Sequence, residues 1–391
     1  MKARSLVLPA AALALGVTLA ARVESQPAPA VAVTWRPVSQ SPRAPGPLDA
    51  RQTAWQTACA PADGALLEVA ARTAQEQARG GALIKSDELV FHLRAAGNPH
   101  PWPRAWSVAG SNLAVDDTAR RLRGWVAPWN TLGVRRCGVA RAVAADGTEV
   151  VAAVAVDALA DLAPLPTTAR VGQWITLEGT MLVPASEAKV VLLGPRGAPK
   201  TITASLAGDK LRSSFAVDQP GEWMVQVLAT VSTGPRPVLD AAIFAGVTPP
   251  TQFVASPAPG EGAGRGAKDD DEGMFRMINA SRASEQLPAL TRDAALDKLA
   301  RVHSEQMIKV GMVGHDVGTG DPAARLRAAG IRAHVTGENV ATAATLENAH
   351  RALWASPSHR GNLLLGQFTR VGVAVVRSAD GMVWVTEIFS G

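Results

Sequence analysis

Apolar positions recur along this chain with two different periods. Between Gln173 and Gly246, short runs rich in β-branched and aromatic residues follow one another: "QWITLEGTML", "AKVVLLGP", "KLRSSFAVD", "EWMVQVLAT" and "PVLDAAIFAG". Turn signals at Gly194-Pro195, Gly208-Asp209, Gln219-Pro220-Gly221 and Gly234-Pro235 separate them. Strands at this spacing, with no helical period between them, predict an all-β sandwich of the immunoglobulin-like kind. From Gly273 onward the period lengthens. "GMFRMINASRASEQLPAL" carries apolar residues at helical spacing and stops at a proline. "TRDAALDKLARVHSEQMIKVG" opens at an N-cap candidate, Thr291 or Asp293, and lines Leu296, Leu299, Ala300, His303 and Met307 on one face. "PAARLRAAG" is a short helix with proline in its first turn and glycine after its end. "LENAHRALWAS" is another, stopped by Ser356-Pro357, and two strands close the chain, "RVGVAVVRS" and "GMVWVTEIF". Helices with an antiparallel sheet predict an α+β sandwich.

Punctuation divides the rest. "MKARSLVLPAAALALGVTLAARVES" has a basic start, an apolar run and small residues near Ala20 and Ala21. It reads as a secretory signal peptide over 1–21, a short uncleaved anchor being the alternative. A proline-rich stretch, 22–48, predicts an extended tether. Folded segments follow at 49–160, 161–248 and 271–391, the last two separated by a Gly/Pro/Asp-rich linker at 249–270. No interior stretch reaches the roughly 20 apolar residues of a membrane span.

The net charge of +5 changes the picture little. Its arginines are scattered, so no stripe tracks phosphates and nucleic acid is not the expected partner. Two cysteines, Cys59 and Cys137, lie in one segment behind the leader. In an oxidising compartment they read as one disulfide, with two buried free thiols as the alternative.

The C-terminal segment resembles the CAP superfamily of cysteine-rich secretory, antigen 5 and pathogenesis-related proteins, also called the SCP domain. Six phrases carry the resemblance in order: "MINASR…LPAL", "ARVHSEQM…GH", "GENVA", "ALWASPSHRGNLL", "VGVAVV" and "WVTEIF". They span residues 274–390 with the spacing of the shorter bacterial branch. The resemblance implies an α-β-α sandwich and a cleft that gathers two histidines and two acids, sometimes around zinc or another divalent cation. His315 matches the first histidine, Glu338 the first acid and His359 the second histidine. Pro357 stands where the second acid belongs. Two neutral imidazoles and one carboxylate suit Zn²⁺ with an open position for water. The other reading is a structural cluster, with Glu338 bonding loop amides and both histidines serving as buried donors. Asn339 is expected to tie the loop after Glu338, Trp354 to pack in the core, and His303 to be a core histidine. His334 and His350 read as surface residues.

Phrases of this segment recur upstream. "LRAAG" stands at Leu93 and Leu326, "GSNLA" and "GENVA" at Gly110 and Gly337, "RLRGW" and "HRALW" before Trp125 and Trp354. "GVARAVAADG" and "GVAVVRSADG" begin at Gly138 and Gly372. Four matches in order at nearly constant spacing predict that 49–160 is a diverged second copy. In it Ser111 would replace Glu338, the "GHD" histidine would have no counterpart near Ala82, and "SPSHRGNLL" would be lost.

Two function classes follow. In the first, the protein is a secreted binding module whose C-terminal cleft holds a lipid, peptide or wall-derived ligand from the cell envelope, with or without a cation. In the second, it is a hydrolase of extracellular peptides or esters, using metal-activated water at His315, Glu338 and His359, or Ser356 with His359 as base. Neither His-Glu-x-x-His nor Gly-x-Ser-x-Gly occurs, and binding is the preferred reading.

Overall fold

A computed structural model describes residues 32–38 and 42–391. The signal-peptide reading lies outside these residues. Among them, no helix is long and apolar enough to cross a membrane.

The chain begins with α1 (Ala50–Cys59), α2 (Gly64–Ala78) and α3 (Ser86–Ala95), then β1 (Arg104–Gly110), α4 (Val115–Val126), β2 (Val134–Val143) and β3 (Glu149–Ala158). Asp49 and Gln52 close a capping box on α1, and Asp63 caps α2 through the amides of Ala65 and Leu66. The antiparallel sheet runs β1–β3–β2. Trp55 of α1 and Leu122 of α4 pack on one face, and Leu66 of α2 and Leu93 of α3 on the other. Cys59 and Cys137 form the expected disulfide between the end of α1 and β2.

Nine strands follow: β4 (Ala160–Leu162), β5 (Thr168–Ala169), β6 (Gln173–Met181), β7 (Glu187–Leu193), β8 (Lys200–Thr203), β9 (Ser205–Ala207), β10 (Lys210–Val217), β11 (Gly221–Val231) and β12 (Gly234–Ala245). They form two sheets, β4–β6–β10–β9 and β5–β12–β11–β7–β8, sharing one apolar core. The five expected strands are all present. On β10 buried and exposed residues alternate, as a strand with one wet face requires. β11 and β12 are buried almost throughout, because the outer face of their sheet is covered by the flanking segments. Asp240, for example, donates its amide to Pro99.

The C-terminal segment holds α5 (Asp270–Ser284), β13 (Thr291–Arg292), α6 (Ala294–Val310), α7 (Pro322–Ala328), β14 (Thr336–Ala343), α8 (Leu346–Ala355), α9 (Pro357–Leu363), β15 (Arg370–Arg377) and β16 (Val383–Ser390). Its sheet runs β13–β15–β16–β14, between α5, α8 and α9 on one face and α6 and α7 on the other. Two strands were expected. The addition that matters is β14, because it turns the expected "GENVA" loop into an edge strand.

Apart from β13 and α9, which the first lacks, the two α/β segments share element order and strand order, since β1–β3–β2 matches β14–β16–β15. The agreement extends to atoms. Asp63 and Asp293 cap α2 and α6 in the same way. A Cβ on Gly138 would lie 2.2 Å from the carbonyl carbon of Leu66, and one on Gly372 2.2 Å from that of Leu296. Both glycines let a helix start lie directly on the sheet. "LRAAG" ends α3 and α7, the tryptophans lie in α4 and α8, and the "GVA…ADG" phrases span corresponding hairpins. The "GSNLA" match fails. It closes β1 and turns into α4, whereas "GENVA" opens β14. Sheet register decides the true counterpart. Gly138 pairs with Val154, which pairs with Ala105; Gly372 pairs with Ile388, which pairs with Glu338. Ala105, not Ser111, stands where the acid would be.

Two expected linkers are packed rather than free. Trp35 donates its indole N–H to Pro250 at 2.7 Å and meets Phe91 and Phe244 edge-on. Residues 261–264 form a 3-10 turn, where Glu261 pairs with Arg351. Ser281 donates to Pro259. Residues 32–391 accordingly form one compact unit.

Candidate functional site

The acid comes first, because everything polar around it is arranged by it. Glu338 projects from β14 with its side chain only 1% exposed. His315, in the loop after α6, donates Nδ1–H to Oε1 at 2.8 Å. Arg325, from α7, donates Nη2–H to Oε2 at 2.7 Å. The same guanidinium holds the carbonyls of His315 at 3.0 Å and Gly320 at 3.1 Å, so it fixes the loop that presents the histidine. Burial pushes the Glu338 carboxyl up, but the His315 hydrogen bond and charge and the Arg325 guanidinium outweigh it, and the group sits below the usual range. It is a carboxylate.

His303, on the buried face of α6, donates Nε2–H to Gly314 at 2.9 Å. Burial lowers its pKa, so it stays neutral, as expected for a core histidine. His359 lies on α9. Burial, reinforced by the charge of His315, holds it down at about 3, and its Nδ1 has no partner among the described residues. Asn339 is buried on the strand and ties no loop. Its amide donates to the His359 carbonyl at 3.2 Å and to Glu387 at 2.9 Å, while Asn362 donates to it at 2.9 Å. Trp354 is half-buried against the core, with the Arg360 guanidinium 4.3 Å from its ring. Ser356 shares its hydroxyl with Gln226 and Ser358. His334 is exposed as expected, but His350 is fully buried, bonded to Ser281 and to the Pro259 carbonyl. Its helix is covered by the 3-10 turn, which a surface reading did not foresee.

The expected metal ligands do not fit a divalent cation. Both oxygens of Glu338 are engaged, and one neighbour is a guanidinium standing where a cation would have to approach. Among the described residues, no three His, Cys, Asp or Glu side chains come together to hold a metal ion.

Sequence reasoning missed Arg325 and Glu387. A buried arginine in "PAARLRAAG" gives no sign of its partner, because only the fold brings α7 to β14. Glu387 on β16 is fully buried beside Asn339, and burial pushes its carboxyl up to about 7 against the Asn339 hydrogen bond. Such a group keeps its proton in the folded chain while the unfolded chain, with a value of 4.5, has lost it. Stability should therefore fall as pH rises from 4.5 to about 7 and level off above. Glu387→Gln should remove that fall, worth roughly 3 kcal/mol. Urea midpoints of both proteins at pH 5 and pH 8 check it, and equal pH slopes would refute it.

The family model of the cysteine-rich secretory protein family, CAP, matches residues 275–389. The uncharacterized protein YkwD of Bacillus subtilis is 34% identical over 120 residues, 30% of this chain and 46% of that protein. The chain thus spans about half the length of this curated relative. Three solved structures are also similar. An outer surface protein of Borrelia burgdorferi is 21% identical, with 32% of this chain and 92% of that one covered and a TM-score of 0.30. An extracellular protein containing an SCP domain from Bacillus anthracis is 18% identical, covering 58% and 87%, with a TM-score of 0.29. A cysteine-rich secretory protein of Staphylococcus aureus is 10% identical, covering 59% and 83%, with a TM-score of 0.28. On the family model and the Bacillus subtilis relative, residues 275–389 are a CAP-family segment similar to that of a bacterial protein.

Proposed function

We propose that the chain is a secreted, extracytoplasmic binding protein whose C-terminal cleft, beside His315, Glu338 and His359, takes a small lipid, peptide or wall-derived ligand. The observation that carries this reading is the engagement of the acid. With Arg325 on one oxygen and His315 on the other, Glu338 is occupied as a structural anion and is poorly placed to activate water. Ser356 directs its hydroxyl to Gln226 and Ser358, which speaks against a Ser356/His359 dyad. A neutral His359 with an unpartnered Nδ1 suits hydrogen bonding to a ligand better than proton transfer. In this reading, residues 49–160 are a degenerate second copy, with Ala105 where the acid would stand. Residues 161–248 are an immunoglobulin-like spacer without chemistry. The leader at 1–21 and the Cys59–Cys137 disulfide suit an oxidising compartment.

Trp102 meets the His359 ring edge-on at 6.4 Å, so calorimetry of the full chain and of its Trp102→Ala variant against peptidoglycan fragments and a short-chain phospholipid tests the reading. Saturable binding by either protein, weakened about tenfold or more by His315→Ala, supports it. A new product in mass spectra of either probe, lost in His315→Ala, would replace binding by hydrolysis. Neither binding nor product would sink both.

A further inference from the structure

We infer that the chain closes its own C-terminal cleft: the β11–β12 turn and Trp102 stand against His315 and His359, and a ligand enters only when these contacts part. The consequence for ligands rests on the binding reading above; the closure itself is a matter of packing.

Three contacts make the closure, and none belongs to the C-terminal segment alone. The first is the turn that joins β11 to β12. The Asp316 amide, beside His315, donates to the Thr233 carbonyl at 3.0 Å. A Cβ placed on Gly234 would lie 3.1 Å from the His315 Cβ, and one on Gly314 3.3 Å from the Thr233 Cβ. Gly234 has φ +93°, so the turn needs glycine there for its conformation as well as for space. The second is Trp102, whose ring meets His359 edge-on at 6.4 Å. The third is Gln226 of β11, which grips the start of α9. Its Nε2 donates to the Ser356 hydroxyl at 3.1 Å and its Oε1 accepts from the Ser358 amide at 3.0 Å.

Together they leave the His315 side chain 17% exposed and His359 6% exposed. An ordinary domain boundary would also bury residues, but Trp102 adds a sign of tension. It has φ +65°, an outlier for a bulky residue, and it precedes Pro103, which further restricts its backbone. It is nevertheless 39% exposed, so core packing does not impose the conformation. A strained residue pressed on a buried histidine is the kind of element that moves when its contact is released. The contacts are one backbone hydrogen bond, one glutamine fork and one aromatic edge, each modest alone. Binding energy at His315 can shift such an equilibrium toward the open form.

Carbethoxylation of the full chain by diethyl pyrocarbonate, mapped by mass spectrometry, tests the closure without any ligand, so it stands or falls apart from the binding reading. Wild-type His315 should react about tenfold or more slowly than exposed His334. In the Trp102→Ala, Gln226→Ala double variant, His315 should speed up about tenfold while His334 keeps its rate. The buried His303 and His350 report on folding and should stay protected. If they react too, the variant has unfolded, and hydrogen exchange at the wild-type Asp316 amide decides: protection supports closure and free exchange overturns it. His315 reacting as fast as His334 in the wild type, or an unchanged rate in a folded variant, also overturns it.

Discussion

Replacing Arg325 by alanine will cost about 3–5 kcal/mol of folding stability at neutral pH, because it strands a buried carboxylate. Glu338 is ionised with its side chain 1% exposed, and Arg325 is the permanent charge beside it. His315 would remain on Oε1, but an imidazole carries its charge only when protonated. The guanidinium also bonds the His315 and Gly320 carbonyls, which the truncation leaves exposed to whatever water can reach them. The sign with pH is fixed by the direction of the shift. The folded Glu338 carboxyl lies below its unfolded value of 4.5, so its contribution is present above that pH and fades as pH falls through the folded value. Adding Glu338→Gln to Arg325→Ala should recover much of the loss, since the stranded charge is gone. Urea unfolding of the two single variants and the double variant measures this. Additive losses would show that Arg325 acts through packing and not through the acid.

Removing the disulfide should be comparably large, about 4–5 kcal/mol in the chain-entropy account. Cys59 and Cys137 are 78 residues apart in sequence, so the bond closes a long loop that carries α2, α3, β1 and α4. Both sulfurs lie in the core with Trp55, Leu122 and Val139, where the thiols would find little polar company. The Cys59→Ala, Cys137→Ala variant should lower the urea midpoint reported by tryptophan fluorescence, and reduction of the wild type should lower it similarly. An unchanged midpoint in both would mean that the unfolded chain is already restricted without the bond.

Local chemistry was legible wherever it was sufficient. Of the two N-cap candidates, Thr291 and Asp293, it is Asp293 that caps α6, while Pro322 opens α7 and Gly330 follows its end. The five strands of the middle segment fall where β-branched runs lie between turn signals, because alternation and turns are properties of neighbouring residues. A chain with two cysteines allows one intramolecular pairing, and the structure forms it between Cys59 and Cys137 rather than leaving two free thiols. His315 and Glu338 were paired by family motifs, and they do meet.

What failed depended on register and on distant segments. "GENVA" is polar and rich in small residues, which reads as a loop; it is a strand because β16 offers it a hydrogen-bonding edge. "GSNLA" looked like its twin because small residues repeat by chance, while backbone pairing assigns Ala105 to that place. Arg325, which the sequence places on a short helix with no sign of a partner, is the partner of the acid, and His350 is buried by a segment that reads as a linker. The sequence by itself therefore determined most of the elements, the candidates for their caps, the cysteine pair open to a disulfide and the family resemblance of the last segment, all set by contacts close along the chain or by motif order. Only the tertiary structure decided that a guanidinium occupies the acid and that Thr233 and Trp102 lie over its histidines. The first contact joins two elements of the C-terminal segment and the others join separately cored segments, so their energy exists only after those parts have folded and found one another.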